Sequence, residues 1–190
     1  MNKEETLIWL ICVLVFAVPV RSQKADDIEN KEQSTFDAEE VPGIPLVKRP
    51  VPVPNAVLQI LGEDVDVKGC LSSDLLPPNH SLASLFIGSE IHLDGPNERD
   101  LVVLPIPDSG CFQGATGIGT FWVFKASGER SKLVLKALGN GLEIAKNRYN
   151  GFRIIQTGTI GQSGKEYTTI TFRFDGKTYQ KYKESTRQQN

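Results

Sequence analysis

Thr168-Thr169-Ile170-Thr171-Phe172-Arg173-Phe174 is the stretch that decides the fold class. In an extended chain Ile170, Phe172 and Phe174 point to one side, and Thr169, Thr171 and Arg173 to the other. A strand built this way has one dry face and one wet face. Outward from it the same texture repeats in SLFIG, EIHL, DLVVLP, TFWVFKA, KLVLKAL, LEIAK, FRIIQTG and KTYQKY. These runs are short and rich in β-branched and aromatic residues, and turn residues separate most of them. Asp94-Gly95, Asn140-Gly141, Asn150-Gly151 and Asp175-Gly176 sit where hairpins need them. Leu101-Val102-Val103-Leu104 is apolar throughout, which predicts a central strand covered on both faces. The fold class is therefore mainly β (α+β), with seven to nine mostly antiparallel strands. One or two short amino-terminal helices precede them: Ala56 to Gly62 with Asn55 as its cap, and a second over Val65 to Leu71.

The region before these elements divides in two. Leu7 to Val20 (LIWLICVLVFAVPV) is an uncharged run of 14 residues. A membrane-spanning helix needs roughly 20 apolar residues, so the run reads as the apolar part of a secretory signal. The alternatives are an uncleaved anchor or a buried helix. A cut after Ser22 would start the mature chain near Gln23, in a secreted or periplasmic protein. Cys12 lies inside the run, not at its end, so lipidation is not expected. Residues 24–40 carry seven acids against two bases, and residues 41–54 hold five prolines. The expectation is a signal peptide over 1–22, a disordered acidic tail and proline-rich spacer over 23–54, and one β-rich domain over 55–190. The spacer could also be a ligand for a proline-recognising domain.

The chain has 190 residues, a net charge of −2, two His and three Cys. No basic excess exists to neutralise phosphates, so nucleic acid is not an expected partner. So few His and Cys exclude the usual zinc, haem and iron–sulfur sites, and no cofactor or metal is expected. Once the leader is cut off, no membrane span should remain. Removing Cys12 leaves Cys70 and Cys111, an even pair that predicts one disulfide in an exported chain. The rival readings are two buried thiols, or a catalytic Cys111 activated by His80 or His92.

Several clusters invite a functional reading. His92 and Asp94, two apart on a strand, share a face and could serve a small hydrolase with Ser89 or Ser109. The plainer reading is a surface histidine beside a turn, since neither serine has nucleophile-elbow spacing. Asp94 to Asp100 (DGPNERD) is the densest run of oxygens, but it lacks the order of a calcium loop. Gly110 to Gly119 (GCFQGATGIG) precedes a strand and not a helix, so it reads as a tight loop more than a phosphate cradle. The aromatic residues Phe121, Trp122, Phe124, Phe152, Tyr167, Phe172, Phe174, Tyr179 and Tyr182 could form a platform for sugar or peptide, or simply the core. Trp122, Tyr179, Tyr182 and Lys181 are the candidate binding residues, with Tyr179 and Tyr182 expected to be exposed among the lysines. Asn79-His80-Ser81 is a glycosylation sequon that would count only on a eukaryotic secretory route.

Gly69-Cys70-Leu71, Glu90 to Val103 (EIHLDGPNERDLVV), Phe121 to Phe124, Asn150 to Ile155 and Phe172 to Tyr179 resemble segments of a family of uncharacterised exported bacterial proteins. That resemblance spans Val57 to Tyr182 and brings no catalytic residues with it. Asp94-Gly95 with Asp100 to Val103, and Asn150 to Ile155, also resemble the turn and strand of FG-GAP repeats. The domain is too short for a full propeller of such repeats. The expected function is a non-enzymatic exported domain that binds a protein or envelope glycan through a strand face or edge near Lys177 to Lys183. The alternatives are an inhibitor of a secreted hydrolase presenting Gly110 to Gly119, and the His92/Asp94 hydrolase.

Overall fold

The computed structural model describes residues 32–39, 45–74, 76, 80–107, 111–112, 117–128, 130–161 and 163–188. The leader over 1–22, the Gln23 cut, Ser109, Asn79 of the sequon and half of the Gly110 to Gly119 loop lie outside them. In chain order come β1 (Thr35–Asp37), β2 (Pro50–Val51), α1 (Asn55–Glu63), α2 (Val65–Leu71) and a 3-10 turn (Leu82–Leu85). Then follow β3 (Phe86–Ile91), β4 (Asp100–Pro105), β5 (Gly119–Ser127) and β6 (Arg130–Gly139). The last four strands are β7 (Gly141–Tyr149), β8 (Phe152–Ile160), β9 (Glu166–Phe174) and β10 (Tyr179–Gln188). They form two five-stranded sheets: sheet 1 in the order β1-β7-β8-β9-β10, sheet 2 in the order β2-β3-β4-β5-β6. Every pairing is antiparallel, and the mainly β class stands.

Alternation explains the layering. From β4 and β5, Val102, Leu104, Phe121 and Val123 enter a core shared with Phe36, Leu142, Ile144, Ile155 and Phe174 of sheet 1. Leu101, Val103, Trp122 and Phe124 point the opposite way, into a second core with Val57, Leu61 and Val67 of the helices. Sheet 2 is thus sandwiched, and β4 is its middle strand, covered on both faces as its apolar run requires. Each large side chain buried this way stabilises the fold by roughly 1.5–3 kcal/mol. In the helix-side core Trp122 meets Phe86 and Phe112 edge-on, with ring centroids 5.4 and 5.8 Å away. Cys70 and Cys111 form the expected disulfide, with Cα atoms 5.5 Å apart. It ties α2 to the stretch that delivers Phe112.

Three expectations change. The residues read as tail and spacer are partly domain: β1 pairs with β7, β2 pairs with β3, and Phe36 and Val47 are buried. The domain therefore begins at Glu32 instead of 55. Open edges of β3 and β7 supply hydrogen bonds that composition alone does not reveal. Gln33 reinforces this strap, its Nε2 donating to Leu46 O and its Oε1 accepting from Lys48 N. Asn55 does not cap α1; the cap position is Pro54, without a side-chain bond. Asp64 caps α2 instead, its carboxylate accepting from Asp66 N and Val67 N. Finally, Asn140-Gly141 carries the chain from sheet 2 into sheet 1 and closes no hairpin, whereas Asn150 (φ 51°) and Gly151 (φ 84°) make the left-handed turn between β7 and β8. The two FG-GAP-like segments fall in different sheets, one ending in β4 and the other in β8. Among the described residues no helix is long and apolar enough to cross a membrane.

Candidate functional site

The sequence-derived candidates separate once placed. Trp122 is 0% exposed and Tyr179 5% exposed, so neither forms a binding surface. Trp122 instead donates its indole N–H to Asp64 across the helix-side core, at 3.3 Å. Tyr179 donates its hydroxyl to Arg153 O at 2.7 Å. Burial, then the nearby Asp100 and Asp94 charges, push its phenol well above the usual range. Tyr182 is 57% exposed, and Lys181 is exposed and paired with Glu184 on the same strand. Both belong to β10, the edge strand of sheet 1.

His92 and Asp94 do not work on one another. His92 Nδ1 lies 3.0 Å from Glu32 Oε2, and Glu32 Oε1 accepts from buried Arg153 Nη1 at 2.8 Å. Arg153 spends its other donors on Ala145 O and Ile144 O. Glu32 thus locks the strap to β8. Asp94 and Glu98 both take Lys125 Nζ, at 2.7 and 2.8 Å. Asp100 turns inward to accept from Leu93 N and Ala126 N. Burial raises its carboxyl above the ordinary value, outweighing those two bonds. The dense run of oxygens is therefore a stapled loop. Ser89 is buried.

Another surface gathers polar groups: the face of sheet 1 turned away from sheet 2. Register places Asp37, Gly141, Gly158, Thr169 and Ser185 in one row across all five strands. The next row is Thr35, Glu143, Gln156, Thr171 and Lys183. On the other side Tyr167 faces Arg187 across β9 and β10. The paired glycines leave the middle of the first row without side chains. The gap is a groove of about 490 Å³ with Asp37, Glu143, Gln156, Tyr167, Ser185 and Arg187 among its walls. That volume falls in the range of small-ligand sites.

Neighbours approach both glycines closely, tightly at Gly141 and to the point of exclusion at Gly158. A Cβ at Gly141 would lie 3.3 Å from Phe36 O and 3.6 Å from Asp37 Oδ1. A Cβ at Gly158 would collide with the Tyr167 hydroxyl. So the Asp37 carboxylate lies beside Gly141, and the Tyr167 phenol covers Gly158. Among the described residues neither group has a hydrogen-bond partner. Arg187 stacks on the Tyr167 ring, its Cζ 4.9 Å from the centroid. Further along, Arg173 is pinned between Tyr182 and Tyr149, at 3.3 and 4.5 Å, and its buried Nε has no partner.

Of the groove residues, the sequence reading reached only Tyr167, as one of many aromatics. The available signal was Gly158 inside the strand run FRIIQTGTI, since an interior strand glycine marks a close approach. Gly141 was hidden by its likeness to a hairpin turn. No family model matches the chain, and no curated protein or solved structure matches it either.

Proposed function

We propose that the chain is an exported, non-enzymatic binding module whose ligand lies on the outer face of sheet 1, in the groove floored by Gly141 and Gly158. The observation that carries this is the Asp37 carboxylate and Tyr167 hydroxyl, without hydrogen-bond partners among the described residues, facing a groove that runs over Gly141 and Gly158. Hydrogen-bonding side chains on a rigid sheet, with an open face above them, suit recognition of a polar, extended ligand. Tyr182 borders the same face from β10, where it stacks on Arg173, whereas Lys181 pairs with Phe172 on the opposite face.

The test compares the wild type with Gly158→Ala, which displaces Tyr167 and fills the floor. Immobilised protein is screened against soluble peptides and envelope oligosaccharides, and each ligand retained is mapped by amide shifts. The expected result is shifts at Gly141, Gly158, Thr169 and Ser185, with at least tenfold weaker retention by the variant. Equal retention by both proteins, or shifts confined to the helix side, would overturn the proposal.

A further inference from the structure

The charges along the groove point to a particular ligand. Asp37 and Glu143 stand at the β1–β7 end, and Arg187 at the β10 end with Lys183 in the neighbouring row. Between them the walls are uncharged: Gln156, Tyr167, Thr169 and Ser185. The groove is lined from every strand of sheet 1, so it runs across the strands and not along one. Four interstrand steps of about 4.8 Å make its length roughly 19 Å. An extended peptide advances about 3.4 Å per residue, so five residues reach about 17 Å.

We infer that the groove binds a short free peptide of about five residues, with its terminal ammonium at Asp37 and Glu143 and its terminal carboxylate at Arg187. This rests on the groove being the binding site. The juxtaposition that carries it is an acidic end and a basic end separated by an uncharged stretch, in which Tyr167 lies over Gly158. Along that stretch Gln156, Thr169, Ser185 and the Tyr167 hydroxyl offer donors and acceptors to a peptide's amides. Arg187 is held against Tyr167, which orients the guanidinium and lowers the ordering cost of meeting a carboxylate. An uncharged glycan would leave both ends without counter-charge. Since the end groups are exposed, each terminal contact contributes modestly and weakens with salt.

The experiment titrates the isotope-labelled full chain with four probes: the pentapeptide Ser-Gly-Ser-Gly-Ser, its N-acetyl form, its C-terminal amide, and chitopentaose. The free pentapeptide is expected to shift the amides of Gly141, Gly158 and Ser185. Capping either end should weaken binding at least about threefold. Asp37→Asn should shrink the effect of N-acetylation and keep that of amidation, and Arg187→Gln should shrink that of amidation and keep that of N-acetylation. Both positions are exposed, so the variants keep the fold. Equal affinity for free and capped peptides overturns the inference, as does loss of both cap effects in a single variant. Chitopentaose shifting the groove amides while the pentapeptide does not overturns the peptide and leaves the groove standing. No groove shift with any of the four probes also overturns the peptide. The groove itself falls only if a retained ligand maps elsewhere.

Discussion

Strands β4 and β9 sit in comparable sheets and have opposite characters. Every residue of β4 is buried, whereas in β9 only Phe174 is. β4 is the middle of a sheet with helices on one side and a second sheet on the other. β9 has cover on one side, and beyond it β10 is exposed from Gln180 onward. The contrast separates two tasks. Sheet 2 holds the domain together, and sheet 1 lends it a free polar face. A face that stability does not need is available for recognition.

Substitutions on the two sheets can break this division. Trp122→Ala in sheet 2 empties the contact with Phe86 and Phe112 and removes one of several partners of Asp64. It should cost about 4 kcal/mol in urea unfolding; a loss below about 1 kcal/mol would mean the helix-side core is dispensable. Replacing Cys70 and Cys111 together by Ala opens a loop of 41 residues, with an expected cost of about 3 kcal/mol. Unchanged stability on reduction of the wild type would refute it.

Asp100→Asn tests the tie between the β3–β4 loop and β5 within sheet 2. One backbone N–H loses its acceptor, at a cost of about 2 kcal/mol. The Asp100 carboxyl titrates higher in the fold than in the unfolded chain, so its contribution is fully present below the ordinary value of 3.8 and is lost as pH rises through the raised folded value. The stability gap between wild type and variant should therefore be widest in acid and narrow toward neutrality. A gap that widens instead would show the carboxylate to be the favoured buried form. The smallest effect belongs to sheet 1: Tyr182→Ala removes one of two rings around Arg173 and should cost no more than about 1 kcal/mol. A loss above about 2 kcal/mol would make that face structural.

How much of this was legible follows from range. The strands, their faces and the centrality of Leu101 to Leu104 are carried by neighbours in sequence, so alternation exposes them. The disulfide is legible because few cysteines leave few pairings. The groove is not, because Asp37, Gly158 and Arg187 meet only through register among distant strands. The burial of Trp122 and Tyr179 also depends on layers stacked by tertiary contact. The segment from Glu32 to Val51 failed for a third reason: its few apolar residues dock singly against edges built from elsewhere in the chain.

The link between Glu32 and Arg153 joins residues 121 apart. Synthesis runs from the amino end, so the strap is made long before β8 exists to receive it. Until then Glu32 lacks the guanidinium it pairs with in the finished fold. Arg153 is buried with Glu32 as its counter-charge, so losing the strap would leave that guanidinium in the interior without a carboxylate.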